Sequence, residues 1–520
     1  MKPLLRSGAC LALILSLSSL AAQPPAPKIL HASYINTPVS LDWGGHVTMT
    51  EAALVMNLCE GLFTYDDSSK KISLGIAESV TRSKDLKEYT FKLRADAKWS
   101  DGRQIYAQDF VDAWLRVISP QSTSIYTYYF FDIVNAREFN SRSIKSKDEV
   151  GIKAVSDRVL VVKLKHPNAR WEETTAFWPF FPIRKDLIEK FGANWWRAGT
   201  LVSSGPFVFD SSEQGKKMVF KRNPYYSHAR TNLTEVDFDI IDNQDDSIKN
   251  YDAHKIDFTR FLPFEHAEKF IKRSDFVPIA LQKHYVLALN SEKYPISDRE
   301  FRLALLSAID PSLLLSAPSP FLHAAGSLIP SPLPGAADDL RIKFDLKAAQ
   351  RHLKNSGVVK DQKVTVRILT NIYEPFNSIA KSIHDQLEKN LGISVELSAL
   401  QNQEYEAYLN MGDYSITLVS WTPKVHNSQD YLLPYSAQVS YNLVKLSSPF
   451  YDQWMNEGIE AISSQTIKSS FTRAEKSISI DEALVHPLFF ETSGALVSNH
   501  LRNLYFTPMG TPSFKHVILK

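Results

Sequence analysis

The chain has 520 residues, of which 44% are hydrophobic and 22% are charged, so it is long enough to bury a large core divided among about two or three domains. Its 59 basic and 57 acidic residues give a formal net charge of +2. This balance gives no reason to expect affinity for nucleic acid or for an anionic membrane surface.

Residues 1–22 have the pattern of a secretory signal peptide. Lys2 and Arg6 provide positive charge, and Ala9–Leu20 forms a short apolar core before small residues suited to cleavage. The apolar run is shorter than the roughly 20 residues that span a bilayer, although a retained N-terminal anchor is the alternative. Because Cys10 lies near the start of this run rather than after it, the sequence does not predict a lipoprotein.

The next segment predicts a strand at Ile29–Tyr34 and a helix over Thr50–Glu60. After cleavage of the signal peptide, Cys59 would be the only cysteine, which excludes an internal disulfide. Since Cys59 lies within the mostly apolar run 54–62, we expect its thiol to be buried and unreactive.

The stretch from Glu88 to Pro120 predicts a strand, a turn and a helix. Apolar and polar residues alternate over Tyr89–Leu93, as in a half-buried strand. Gly102 suits the positive φ of a turn, and apolar residues then recur at helical spacing over Ala107–Ile118. These apolar faces indicate packed scaffold, with Trp99 and Trp114 inside it.

Aromatic residues and a hairpin dominate the middle of the chain. The aromatic cluster Tyr126–Phe131 fits either core packing or a platform that lines a ligand cleft. The strand Val159–Leu164 follows, and the segments 203–209 and 218–226 predict a hairpin with Gly215 at its bend.

Proline marks the next two features. Asp310 has the position of a helix cap, with Pro311 as the first helical residue. The proline-rich region Pro318–Pro334 is expected to form a surface loop.

From residue 364 the chain alternates between strands and helices. The predicted elements are the strands Val364–Thr370, Ile393–Leu400 and Tyr414–Trp421 and the helices Phe376–Leu391 and Glu404–Met411. Gly392 is placed to end the longer helix in a left-handed cap. Such alternation predicts a parallel sheet with right-handed crossovers.

Recognisable enzyme motifs are missing from the sequence. It contains no glycine-rich phosphate loop, no His-Glu-x-x-His and no nucleophile-elbow pattern, and its 14 histidines are scattered. A catalytic site assembled only by the fold stays open as an alternative.

Several of these blocks resemble the extracytoplasmic solute-binding proteins of the peptide/nickel family, the oligopeptide-binding components of ABC importers. The likeness is carried by 91–111 with its Lys-Trp-Ser-Asp-Gly run, by the Gly-Pro-Phe and Arg-Asn-Pro-Tyr-Tyr segments within 205–226, and by 285–311. The blocks occur in family order from Leu41 to Phe490. The resemblance implies an α/β fold, a two-lobed clamshell of the periplasmic-binding-protein type II kind with an additional domain inserted in the first lobe.

By the same resemblance, lobe I comprises residues 23–62, 183–284 and 491–520, domain II comprises 63–182, and lobe III comprises 285–490. The family implies a periplasmic protein that binds oligopeptides between its lobes and delivers them to membrane permease subunits. It also implies a monomer without catalytic activity, cofactor, metal or nucleic-acid partner.

The resemblance also implies ligand-contacting residues. The strand that ends at Ser420, Trp421 and Thr422 resembles the one whose main chain pairs with a bound peptide, and ligands of open α/β sheets sit beyond such strand ends. Val47, Thr48 and Met49 correspond to the opposite pairing segment, Tyr126 to a cleft tyrosine, and Lys424 lies beside the ligand.

Lys424 departs from the family pattern. Peptide-binding members carry an aspartate three residues after the tryptophan, where it pairs with the ligand's α-ammonium. A lysine there would repel an ammonium, so we expect a ligand without a free α-amino group or with an acid at that point, such as a modified or cell-wall-derived peptide. Alternatively, Lys424 swings to solvent or pairs with Asp430, and ordinary peptides bind.

Two other positions also differ. Some relatives direct cationic residues at the ligand's C-terminus, and the matching positions here are Leu418 and Phe376. A receptor of this fold for a metal or haem chelate, and a secreted hydrolase, are the remaining alternatives.

Overall fold

A computed structural model describes residues 26–520 apart from 66–71, 261, 316–318, 359–363, 438, 440, 441, 446 and 447. The predicted signal peptide, residues 1–22, lies outside the described residues.

The strands of the described residues are β1 (Ile29–Tyr34), β2 (Phe63–Tyr65), β3 (Ile72–Leu74), β4 (Ala77–Arg82), β5 (Glu88–Leu93), β6 (Ile152–Ser156), β7 (Val159–Lys163), β8 (Phe207–Glu213), β9 (Lys217–Arg222), β10 (Glu235–Ile240), β11 (Phe258–Arg260), β12 (Phe276–Leu289), β13 (Leu322–Ala324), β14 (Thr365–Asn371), β15 (Ser394–Leu400), β16 (Ile416–Trp421), β17 (Val485–Val497), β18 (Leu501–Arg502), β19 (Tyr505–Phe506), β20 (Pro512–Ser513) and β21 (Ile518–Leu519).

The α-helices are α1 (Met49–Leu58), α2 (Ala107–Val117), α3 (Ala136–Asn140), α4 (Lys185–Phe191), α5 (Gln244–Asp252), α6 (Ala267–Phe270), α7 (Arg299–Ser307), α8 (Leu346–Asn355), α9 (Phe376–Leu391), α10 (Asn402–Met411), α11 (Ser428–Leu432), α12 (Pro449–Glu460) and α13 (Ser464–Lys476). Short 3-10 turns include Thr127–Phe130 and Pro311–Leu313.

One large sheet runs through the molecule in the strand order β15-β14-β16-β12-β17-β11-β1-β10-β9-β8. β14 pairs in parallel with both β15 and β16, which confirms the predicted parallel arrangement. The intervening helix α9 ends at Gly392, whose φ of 66° is the predicted left-handed cap.

The described residues form two large hydrophobic cores and a small third one. The first gathers buried residues between Leu30 and Ile279 and between Ala495 and Val517, with Val425, Leu433 and Val439 added, and the second gathers residues between Tyr285 and Phe489. The small one includes Tyr251, Phe321 and Leu496. The fold is therefore two-lobed, as predicted. The predicted domain II has its own four-stranded sheet, β4-β5-β7-β6. Its buried residues belong to the first core together with those of the predicted lobe I, so it has no separate hydrophobic interior.

Two long antiparallel strands connect the halves. β12 has 14 residues and β17 has 13; β12 also pairs with β16 in the second half, and β17 with β11 in the first. Ile279 lies opposite Ser493 and Lys283 opposite Glu491, so a four-residue step on β12 faces a two-residue step on β17. This bulge lies where both strands pass from one core to the other.

The stretch that carried most of the family resemblance is packed scaffold, as predicted. Trp99 and Trp114 are fully buried between the small sheet and α2. The indole of Trp99 donates to Asp109 Oδ2 at 3.0 Å, and that of Trp114 donates to the carbonyl of Phe180 at 2.8 Å. Cys59 is 2% exposed, and burial raises the pKa of its thiol to about 12.

The expected surface loop at Pro318–Pro334 is wrong for the part that the structure describes. β13 pairs with β17 at the edge of the large sheet, and Phe321, Leu328 and Ile329 are at most 3% exposed. The prolines made the segment look like an irregular loop, whereas the apolar residues between them pack into the cores.

Glu475 of α13 provides a pH-dependent contribution to stability. Its buried carboxylate accepts hydrogen bonds from the N–H of Leu328 at 2.6 Å and the hydroxyl of Ser327 at 2.8 Å. Burial outweighs these bonds and raises its pKa from 4.5 to about 7. Between these values the folded state binds more protons than the unfolded state, so this carboxyl makes the protein less stable as pH rises from about 4.5 to 7.

We expect Glu475→Gln to remove this dependence. The free energy of unfolding of the variant, measured relative to the parent, should be higher at pH 8 than at pH 4.5 by up to about 3 kcal/mol. Urea unfolding of both proteins at pH 4.5, 6, 7 and 8 measures it. An unchanged difference between parent and variant across this range would contradict the assignment.

Candidate ligand-binding cleft

Two cavities lie along the junction of the lobes. The hinge cavity, of about 570 Å³, is bounded by Met49 on one side, Thr422 on the other and the crossing of β12 and β17 beneath. The outer cavity, of about 280 Å³, lies between residues 128–174 of domain II and residues 425–471 of lobe III. The structure thus brings two of the predicted site residues, distant in sequence, to opposite walls of one cavity.

The segment Val47–Met49 enters a helix at this wall. Thr48 is the N-cap of α1: its N–H donates to Glu51 Oε2 at 2.9 Å, and its carbonyl accepts from Ala52 N at 2.8 Å. Both main-chain polar groups of Thr48 are therefore used within the cap. Backbone pairing with a peptide at this wall would have to use Val47 or the residues before it.

Tyr126 supports this segment from behind. It is 4% exposed, its hydroxyl donates to the carbonyl of Val47 at 2.6 Å, and its ring packs edge-on against Phe177 and Trp178. For Tyr126, core packing is the better of the two interpretations of the aromatic cluster. It holds the Val47 main chain in place.

The opposite wall is the end of β16. Ser420 lies opposite Tyr285 and Trp421 opposite His284 on β12. On its other edge, the register with β14 covers Ile416 and Thr417, and β16 continues for four residues beyond it. Within the described residues this edge has no other strand partner. In general, a strand that continues past its neighbour is a place where an extended chain can add to a sheet.

Lys424 follows this edge and points back along it. Its ammonium donates to the carbonyl of Thr422 at 3.0 Å and lies 5.4 Å from the ring centre of Trp421. Burial lowers the pKa of Lys424 to about 8, although the nearby Asp430 carboxylate opposes this shift. The structure therefore does not show the lysine turned out to solvent.

Asp430 is the carboxylate around which this loop folds. It is 2% exposed and accepts hydrogen bonds from the main-chain N–H groups of Lys424 and Val425 and, at 2.7 Å, from the hydroxyl of Tyr129. Its own carbonyl accepts from the indole of Trp421 at 2.8 Å. Burial raises the pKa of this carboxyl. Asp430 thus meets Lys424 through the main chain rather than through the ammonium.

The bond from Tyr129 to Asp430 also joins two predicted parts of the fold, because Tyr129 falls in the predicted domain II and Asp430 in the predicted lobe III. Other contacts cross beside it: the amide of Asn427 donates to Glu173 at 3.4 Å, and the His166 and Glu460 side chains approach to 3.2 Å. Three apolar residues of lobe III, Val425, Leu433 and Val439, pack into the first core. The structure is therefore a closed form.

A charged group on the floor of the hinge cavity was not found from the sequence. Lys283 Nζ lies 2.8 Å from Glu491 Oε2, which also accepts a hydrogen bond from the hydroxyl of Tyr285 at 2.5 Å. No local sequence pattern predicts this ion pair, because its two residues lie on strands that are far apart in the sequence.

The two positions where the family resemblance implies cations in some relatives are apolar in the structure as well as in the sequence. Leu418 is fully buried, and the partly buried ring of Phe376 packs 5.1 Å from that of Tyr285.

Among the described residues, no group of three or more His, Cys, Asp or Glu side chains is placed to hold a metal ion. None of the helices in the described ranges has the length and apolar character required to cross a membrane.

Comparison with known proteins matches residues 71–442 to "Bacterial extracellular solute-binding proteins, family 5 Middle". The periplasmic murein peptide-binding protein MppA of Escherichia coli is 28% identical, over 95% of each chain. The oligopeptide-binding protein OppA of Bacillus subtilis is 27% identical, over 95% of this chain and 91% of its own. A solved structure of the E. coli murein tripeptide binding protein MppA superposes with a TM-score of 0.81 over 95% of this chain and 99% of that one, at 24% identity. This likeness confirms the predicted type II clamshell fold.

Tyr126 and Tyr129 form a matched pair, because each donates one hydroxyl hydrogen bond, the first within the same half and the second across the lobes. We expect Tyr129→Phe to weaken closure by about 1–2 kcal/mol, since it removes the hydroxyl that donates to Oδ1 of buried Asp430. Tyr126→Phe should lower the free energy of unfolding by about 1 kcal/mol without affecting closure.

Small-angle X-ray scattering of the ligand-free variants would show a larger radius of gyration for Tyr129→Phe only, and urea unfolding would report the loss in Tyr126→Phe. Equal radii for the two variants would contradict the assigned roles.

Proposed function

Because the chain belongs to the bacterial extracellular solute-binding proteins of family 5, we propose that it captures oligopeptides between its lobes and delivers them to the permease subunits of an ABC importer. The observation that carries this proposal is that Met49, at the start of α1, and Thr422, the residue after β16, line the same hinge cavity. A peptide that adds to the end of β16 is held by its main chain, so many side-chain sequences are accepted.

The proposed site comprises Val47, Thr48, Met49, Tyr126, Ser420, Trp421, Thr422 and Lys424. Within it, the Ser420–Thr422 main chain pairs with the peptide, while Thr48 shapes the opposite wall through its cap. Tyr126 acts indirectly, by fixing Val47.

The organisation of the protein follows from this role. The signal peptide 1–22 directs it to the periplasm without lipid attachment, and it acts there as a monomer that binds rather than converts its ligand. The name of the E. coli relative, a periplasmic murein peptide-binding protein, supports this placement. The crossing of β12 and β17 supports the proposed lobe boundaries at 284/285 and 490/491.

Lys424 determines the chemistry of the ligand near Trp421. Its ammonium donates to the carbonyl of Thr422, which lines the hinge cavity, so a second ammonium bound close to this residue is repelled in a partly desolvated site. The ligand therefore lacks a free α-amino group at this point or carries an acid there, as modified and cell-wall peptides do. The name of MppA, a murein peptide-binding protein, is in keeping with such a ligand.

Native mass spectrometry of protein purified from its host tests the general proposal, with peptide masses released on denaturation as the expected result. A mixed library of peptides three to five residues long, offered to the unfolded-and-refolded protein, provides the second measurement. If no peptide is retained in either experiment, the proposal fails.

Calorimetry with matched peptides bearing free and acetylated N-termini tests the role of Lys424. We expect acetylation to leave the affinity of the parent unchanged or improved. Lys424→Asp should reverse the order and favour the free ammonium by roughly tenfold, since about 1.4 kcal/mol from one charge pair corresponds to a factor of ten.

Lys424→Met, which removes the charge without replacing it, is the matched control and should show no preference. A strong loss of affinity when the peptide N-terminus is acetylated, measured with the parent protein, would contradict the proposal for Lys424.

A further inference from the structure

Lys283 is the one cation among the described residues that line the hinge cavity. It stands on β12 at the bulge where this strand crosses between the lobes, directly opposite Glu491 on β17. The cavity lies between Met49 and Thr422, so a peptide paired with the end of β16 passes over Lys283.

The ion pair on this floor presents its positive member to the cavity. The side chain of Glu491 is 8% exposed and that of Lys283 is 23% exposed. Glu491 also accepts a hydrogen bond from the hydroxyl of Tyr285, so two donors, Lys283 and Tyr285, compensate its charge. An ammonium has three donors, and Glu491 takes one of them. The group that meets an incoming ligand is therefore the ammonium.

The same lysine lies beside an aromatic pair. Its ammonium is 4.9 Å from the ring centre of Tyr285, and this ring packs 5.1 Å from that of Phe376. The three side chains form a short stack from Phe376 through Tyr285 to Lys283, and only its last member is charged.

Other charges and donors restrict where an acid could sit. The second carboxylate on the cavity lining, exposed Glu374, precedes α9 and accepts a hydrogen bond from the N–H of Ser378 at 3.3 Å. The carboxylate of Glu374 repels an anion, so a carboxylate of the ligand is more favourable beside Lys283 than beside Glu374. Thr492 and Ser493 of β17 line the same floor with hydroxyl groups.

We propose that Lys283 forms a subsite for the C-terminal carboxylate of the bound peptide. This inference rests on the proposed function, since it assigns a specificity-determining residue within the same cleft.

The test uses a mixed library of peptides three to five residues long, prepared once with free C-terminal carboxylates and once as C-terminal carboxamides, both N-acetylated and without acidic side chains. Retention is measured by equilibrium dialysis with mass spectrometry. We expect the parent to retain the acid form about tenfold more tightly than the carboxamide. Lys283→Arg should keep this preference.

Removing Lys283 alone leaves the Glu491 charge buried without its partner, so the decisive variant is Lys283→Met/Glu491→Gln, which removes both charges. It should bind the two forms within about a factor of two. The matched control is Lys217→Met/Asp237→Asn, which deletes a similar ion pair of 2.5 Å between β9 and β10, outside the residues lining the cleft, and should keep the preference of the parent.

The outcomes separate the two proposals. If neither form of the library is retained by the parent, peptide binding itself fails and the subsite with it. If the parent retains both forms equally, or if the preference survives in Lys283→Met/Glu491→Gln, the subsite is wrong while peptide binding stands.

Discussion

The antiparallel ladder between β12 and β17 is the interaction on which the rest of this structure depends. These two strands are the only ones in the described residues that pair with partners in both halves of the large sheet, so they hold the lobes together and determine where the cleft can form. A bulge at the crossing interrupts the regular register there. The hinge cavity lies directly above it, which places the strand ends, the capped helix and the Lys283–Glu491 pair around one space.

Local contacts then prepare each wall for a ligand. The cap at Thr48 and the hydroxyl of Tyr126 fix the main chain on the lobe I side, and Asp430 fixes the loop after Trp421 on the lobe III side. Because these groups are already ordered before a ligand arrives, binding does not have to offset the entropy lost in ordering them. Main-chain groups ordered in this way suit a receptor that recognises main chain more than side chains.

Local sequence patterns predicted much of the fold and little of the site. The helix Phe376–Leu391 begins and ends where its apolar spacing and Gly392 indicate, because these signals act within one or two turns. The partners Tyr129 and Asp430 are 301 residues apart and Tyr285 and Glu491 are 206 apart, and only the folded sheet brings them together. The identity of Lys424 was plain from the sequence, but the direction of its side chain depends on the carbonyl of Thr422. The error at Pro318–Pro334 has the same origin, since β17 supplied the pairing that the segment's own composition did not indicate.

The hydrogen bond from Tyr129 to Asp430 has a kinetic consequence for transport. When the lobes separate, the buried carboxylate of Asp430 loses the hydroxyl that donates to its Oδ1, and the loss of such a bond is unfavourable. The lost bond raises the free-energy barrier for opening. It therefore lowers the rate at which the ligand dissociates more than the rate at which it binds. A receptor built in this way holds its cargo for a time set by the lifetime of the shut form, and a membrane partner that pulls Tyr129 and Asp430 apart would shorten that time and release the ligand where it is needed.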